Sequence, residues 1–126
     1  MRKPAKLFTA SAVAVLLGSL ALAPQITMAG GHAKASSAAA AGKKVAENRK
    51  KGNCFACHAY EGIKLPGNIG PPLVAMKARF PDKARLKAQL VDPVQFNPDS
   101  MMPPYGKHNI ISGKDIDNIV EWLYTL

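Results

Sequence analysis

The stretch "GNCFACH", residues 52–58, contains both cysteines of the 126-residue chain and a histidine directly after the second. Cys54 and Cys57 stand three positions apart. This spacing occurs in redox dithiols and disulfides, in pairs of metal ligands, and in covalent attachment sites for a prosthetic group. The rest of the sequence has to separate these three interpretations.

Residues 1–29 have the organisation of an export signal. Three basic residues, Arg2, Lys3 and Lys6, precede an almost wholly apolar run, and small residues up to Ala29 suit cleavage after that position. Glycine and serine interrupt the run and a proline closes it, so a membrane span fits less well. We therefore predict a signal peptide over residues 1–29 and a mature periplasmic protein without a membrane span.

The mature chain is short and basic. Removing 29 of the 126 residues leaves 97, and removing three positive charges from the formal net charge of +9 leaves +6. A chain of this length forms one small domain, and a prosthetic group often adds to the stability of its limited core. We expect a flexible Ala/Ser-rich leader over residues 30–40 and a folded domain over residues 41–126. Export and the non-basic leader argue against nucleic acid as a partner.

Helical patterns separated by long Gly/Pro-rich loops predict an all-α fold. One helix is expected from Ala39 to Lys51, ending at Gly52. Residues 73–80 and 82–92 are predicted to form two short helices, the second of which ends before Pro93. Ser112 and Asp115 form a capping-box pattern ahead of the last helix. The buried stripe of that helix is expected to contain Ile116, Ile119, Val120 and Leu123.

The histidine after the second cysteine favours covalent haem. In a C-x-x-C-H site the two thiols bind the haem vinyl groups and the adjacent histidine binds the iron, here Cys54, Cys57 and His58. A thioredoxin-like dithiol would need flanking strands, and a structural zinc site would need four ligands, of which the distant His32 and His108 are poor candidates. A disulfide gives no role to the histidine. We predict one covalently bound haem c.

The sixth iron ligand is expected in the proline-rich loop near residue 102. Met102 is favoured over Met101 because Pro103 follows it, an arrangement that resembles the Met-Pro loops of small class I cytochromes c. His108 is the rival ligand, and Met76 is interpreted as core packing.

"GPPL", residues 70–73, resembles the class I loop behind the axial histidine. The resemblance implies that the Pro71 carbonyl accepts the imidazole N–H of His58 and that Leu73 packs on the haem edge. Gly42 and Trp122 suit the close crossing of the first and last helices in that small all-α cytochrome c fold.

Several sequence blocks resemble the SoxX subunit of the periplasmic SoxAX cytochrome complex of sulfur-oxidising bacteria. They occur in that family's order and cover nearly everything from residue 51 onward: "KGNCFACH", "GNIGPPL", "ARFPDK", "NPDSMMPPYGKHNIIS" and "IDNIVEWL". The resemblance implies an electron-relay subunit of an L-cysteine S-thiosulfotransferase-type complex that links thiosulfate to a cysteine of the carrier SoxYZ. Its implied partners are SoxA, SoxYZ and a downstream cytochrome c.

The residues themselves support the electron-handling half of that role. Because haem attachment uses both thiols, no cysteine remains for sulfur transfer, and this chain alone is not expected to be catalytic. Part of the docking face is expected to use basic residues around the short helices: Lys77, Arg79, Lys83, Arg85 and Lys87. The alternative hypothesis is a freely diffusing periplasmic monohaem electron carrier.

Overall fold

The computed structural model describes the backbone of residues 29–126 and the side chains of residues 36–126. Four α-helices follow one another: α1 (Ala29–Glu47), α2 (Met76–Arg79), α3 (Lys83–Val91) and α4 (Gly113–Leu123). Single turns of 3-10 helix lie at Cys54–Ala56 and Pro93–Gln95. Within this part of the chain no strand forms, and the predicted all-α class is confirmed.

The first and last long helices cross at very close range. A Cβ built on Gly42 of α1 would lie 1.9 Å from the backbone oxygen of Asn118 in α4, so only glycine permits this approach. Ala46 of α1 is fully buried, and Trp122 of α4 is 3% exposed. The predicted role of Gly42 in the helix crossing is confirmed, whereas the ring contacts of Trp122 are edge-on contacts with Phe55 and Tyr60.

α4 forms where the capping pattern predicts it. The Ser112 hydroxyl accepts a hydrogen bond from the Asp115 backbone N–H at 3.0 Å, which satisfies one of the free donors of the first turn. All four residues of the predicted apolar stripe are buried: Ile116, Ile119, Val120 and Leu123. α4 therefore supplies much of the core from which the site is built.

The N-terminal part of the chain departs from the sequence prediction. α1 already begins at Ala29, so residues 30–40 are helical where an unstructured leader was expected. The reason is the high helix propensity of the alanine run, whose Ala39 is also buried in the core. The predicted signal peptide lies outside the described residues except for Ala29.

The end of α1 also differs from the prediction. The helix stops at Glu47 rather than at Gly52, and a tight turn follows in which the Gly52 N–H returns to the Val45 carbonyl at 3.1 Å. This turn leads the chain directly into the cysteine motif.

Two ion pairs join α3 to α4. Lys83 Nζ lies 2.8 Å from a carboxylate oxygen of Glu121, and Lys87 Nζ lies 2.6 Å from a carboxylate oxygen of Asp117. The apolar side of α3 packs into the core through Leu86 and Leu90, as the sequence pattern predicts. Over residues 29–126, none of the helices has the length and apolar character needed to cross a membrane.

Candidate haem-binding site

A single compact turn places the two cysteines and the histidine on one cavity. Asn53 adopts a left-handed conformation (φ 47°), and the chain then closes so that the His58 N–H donates to the Cys54 carbonyl at 3.0 Å. Cys54, Cys57 and His58 all line the same cavity. The three residues of the motif are thus brought together by local backbone structure.

The Gly/Pro-rich loop after the motif lies directly against this turn. The Gly70 N–H donates to the Cys57 carbonyl at 2.8 Å, and the Leu73 N–H donates to the Ala59 carbonyl at 2.9 Å. A Cβ on Gly67 would lie 2.0 Å from the Ala56 backbone oxygen. Backbone contact this close requires glycine, which explains the residue at position 67.

The loop also orients the histidine. Nδ1 of His58 lies 2.6 Å from the carbonyl oxygen of Pro71. A carbonyl can only accept, so Nδ1 is the donor in this contact. In the neutral tautomer that carries this proton, Nε2 keeps the lone pair that binds a metal. The contact between His58 and Pro71 that the class I resemblance implies is present.

Two methionines of the loop over residues 96–112 line the cavity, and they differ in burial. Met102 is partly buried and packs against the core, whereas Met101 is 76% exposed. The Met102 N–H donates to the Ser100 hydroxyl at 3.3 Å. His108 is exposed and does not line the cavity. Met102 is therefore the better placed of the candidate ligands.

The cavity has the size and lining expected for a large apolar ligand. Its volume is about 820 Å³, within the range usual for ligand and cofactor sites. Leu73 lines it and is buried, and Met76, which the sequence predicts to be core packing, is also buried and also lines it. Further apolar lining comes from Leu86, Leu90, Ile119, Trp122 and Leu123. Two thiols, one imidazole and the thioethers of the lining methionines inside such walls fit a covalently attached haem.

The cysteine environment does not fit the competing chemistries. Burial raises the pKa of the Cys54 thiol to about 11, whereas a reactive redox cysteine has a lowered pKa. Among the described residues, no group of three or more His, Cys, Asp or Glu side chains is arranged to hold a metal ion. A structural zinc site, which needs four such ligands, therefore finds no support in the geometry.

Tyr105 at the cavity and the ion pair of Lys107 with Asp92 were not identified from the sequence, which predicts for Arg79 only a place on the docking face. Burial raises the pKa of Tyr105 to about 12, so its hydroxyl stays protonated and donates to the Gly52 carbonyl. Arg79 lines the cavity and donates from Nη1 to the Pro72 carbonyl at 2.7 Å. Lys107 pairs with the buried Asp92 at 2.8 Å. Their hydrogen-bond and ion-pair partners lie up to 53 positions away along the chain, and no local sequence pattern predicts such contacts.

The all-α fold, the attachment turn and the apolar cavity together define a class I c-type cytochrome with one covalently bound haem c, a protein of haem electron transfer. The family model described as "cytochrome c oxidase, cbb3-type, subunit III" matches residues 37–123, and the chain belongs to this family. The chain is also similar to an uncharacterized lipoprotein of Aquifex aeolicus (strain VF5), at 34% identity over 76 residues. That match covers 60% of this chain and 37% of the relative, so the chain corresponds to well under half of that protein.

Proposed function

We propose that this cytochrome is a one-electron relay whose haem is held axially by His58 and Met102, and that it serves as the SoxX-type subunit of a thiosulfate-oxidising complex. The single observation that best supports the relay role is that His58, Met102 and both cysteines line the same cavity. The haem supplies a one-electron redox couple.

The residues around the cavity influence the reduction potential of that couple. The Pro71 carbonyl fixes the orientation of the His58 ring and increases its basicity as a ligand. Met102 contributes a neutral thioether, which favours a higher reduction potential than a second imidazole would. The buried apolar side chains of the wall disfavour the more highly charged oxidised form, which also raises the reduction potential.

The sulfur-related role is supported by the sequence blocks shared with SoxX and by the cysteine count. The chain contains two cysteines, and haem attachment occupies Cys54 and Cys57. The cysteine that receives thiosulfate must therefore belong to another protein, which is the role proposed for the carrier SoxYZ, with SoxA as the stable partner and another cytochrome c as electron acceptor. We propose export to the periplasm through residues 1–29, and the lipoprotein description of the Aquifex relative supports an exported protein.

The basic residues that the sequence predicts for the docking face also make contacts within the chain. Four of these five residues have partners within the chain. Lys83 and Lys87 pair with α4, and Arg79 donates to the Pro72 carbonyl. Arg85 lies over the Phe96 ring at 3.2 Å from its centroid. Arg49 and Lys50 are exposed at the cavity, and we propose them as the charges that meet an acidic partner.

The experiment is reconstitution of sulfur transfer. The mature haem protein alone, the proposed SoxA partner alone and both together are incubated with thiosulfate and the SoxYZ carrier, while haem reduction and carrier mass are followed. The proposal expects the mass increase of the carrier only when both cytochromes are present. Sulfur transfer by this chain alone would overturn the relay role. Failure to bind any second cytochrome would replace the subunit role with that of a freely diffusing electron carrier.

A further inference from the structure

The loop that carries Met102 is joined to the haem-attachment turn by one buried side chain. Tyr105 is 7% exposed, and its hydroxyl donates to the carbonyl oxygen of Gly52 at 2.5 Å, across 53 positions of sequence. Gly52 stands two residues before Cys54. This hydrogen bond therefore connects the loop of the proposed sixth ligand with the turn of the attachment motif.

The acceptor of this bond is held firmly in place. The Gly52 N–H is bound to the Val45 carbonyl of α1 at 3.1 Å. A Cβ on Gly52 would lie 2.8 Å from that same oxygen and 3.3 Å from the Cys54 sulfur. Gly52 is thus packed between the end of α1 and the attachment turn, and its carbonyl is a hydrogen-bond acceptor in a fixed position.

The segment from Met102 to Tyr105 is stiff enough to couple the position of Met102 to that of Tyr105. Pro103 and Pro104 separate the two residues, and their fixed φ angles leave little freedom for Met102 to move while Tyr105 is held. On the far side of Tyr105, the N–H groups of Gly106 and Lys107 donate to the Val91 carbonyl at 3.2 and 3.0 Å. Those bonds join the loop to α3, whereas Tyr105 joins it to the attachment turn.

We propose that Tyr105 is a positioning residue that keeps the methionine loop closed over the haem site and so limits dissociation of Met102 from the iron. This inference rests on the proposed ligation by Met102. Without the hydroxyl, the buried Gly52 carbonyl loses its partner in the closed state, while in an open loop it can be hydrated. The closed state loses stability relative to the open one, and an external ligand gains access to the iron.

The test is an imidazole titration of the oxidised, haem-loaded full chain, comparing the unmodified protein, Tyr105→Phe and Tyr124→Phe. Imidazole binds only when the methionine has left, so its apparent affinity reports the fraction of open loop. Tyr105→Phe is expected to bind imidazole about twofold to tenfold more tightly, the range that corresponds to one lost buried hydrogen bond. Tyr124→Phe is the matched control, because its hydroxyl also donates to a backbone carbonyl, that of Phe80 at 2.5 Å, but lies outside the methionine loop.

The possible outcomes separate this inference from the proposed function. A tighter imidazole affinity in Tyr105→Phe, with Tyr124→Phe within twofold of the unmodified protein, supports the positioning role. Equal affinities in all three proteins, or equal shifts in both variants, overturn it, since the second result reports general loosening of the fold. An unmodified oxidised protein without the weak red-region band of iron–thioether bonding overturns the Met102 assignment itself. Urea unfolding of each variant measures any general loss of stability independently.

Discussion

Gly70 and His58 are in direct contact: a Cβ built on Gly70 would lie 2.4 Å from Cε1 and 2.6 Å from Nδ1 of the imidazole. The glycine thus leaves room for the ring to reach the Pro71 carbonyl. Any side chain at position 70 must displace the ring, the loop or both. The orientation of His58, the proposed iron ligand, therefore depends on the lack of a Cβ at position 70.

Gly70→Ala is expected to destabilise the haem protein by about 1–3 kcal/mol, the usual cost of an extra methyl group in a packed site. It is also expected to shift the reduction potential, because the displaced ring weakens the hydrogen bond to Pro71. Urea unfolding and potentiometric titration measure the two effects. A variant indistinguishable from the unmodified protein in both would show that the contact does not orient His58.

Gly42→Ala tests the crossing of α1 and α4. In an exposed helix the change stabilises by about 1 kcal/mol, but here the new Cβ would lie 1.9 Å from a backbone oxygen of α4. We expect a net loss of about 2 kcal/mol or more, because the helices must separate. Gly113→Ala is the control, since a Cβ at that position meets no atom within 4 Å. Its urea midpoint should stay at or slightly above that of the unmodified protein, because Gly113 is exposed at the start of α4. The same outcome for Gly42→Ala would contradict the close crossing.

The parts of the molecule that were predictable from sequence are those set by local chemistry. The N-cap and the buried apolar stripe of α4 are predictable because they depend on residues within one helix. The attachment turn is predictable because it depends on seven consecutive residues. The helical state of residues 30–40 was missed because an alanine-rich segment also has the composition of a flexible leader. The contact of Tyr105 with Gly52 and the pairing of Lys83 and Lys87 with α4 depend on tertiary packing, which no short window of sequence contains.

Asp92 is expected to make the free energy of unfolding fall as the pH is lowered into the acid range. The hydrogen bond from the Lys107 ammonium holds the pKa of this carboxyl below its ordinary value of 3.8. A lowered folded-state pKa adds stability above about pH 3.8, and that stability disappears as the pH falls through the folded-state value. Asp92→Asn should therefore lower the urea midpoint at neutral pH and flatten its decline below pH 4.

The control for this pH prediction is Asp117→Asn. Its ion pair with Lys87 is exposed on the surface, with 52% of the Asp117 side chain accessible, and should contribute little. Urea midpoints measured between pH 2 and pH 7 compare the three proteins. Parallel curves for Asp92→Asn and the unmodified protein would show that the pair with Lys107 does not stabilise the fold.

Export and maturation predict a defined mass. If the signal over residues 1–29 is removed after Ala29, protein recovered from the periplasm begins at Gly30 and carries the mass of one haem. Intact-mass spectrometry with N-terminal sequencing measures both. A retained Met1, or a mass without the prosthetic group, would contradict the proposed route.

The central claim, a haem with His58 and Met102 as axial ligands, is tested most directly by the absorption spectrum of the oxidised protein in two neighbouring variants. Met102→Ala should abolish the weak red-region band of iron–thioether bonding, because the partly buried thioether at the cavity is removed. Met101→Ala should retain the band, since the Met101 side chain is 76% exposed. Loss of the band in Met101→Ala with its retention in Met102→Ala would contradict the account.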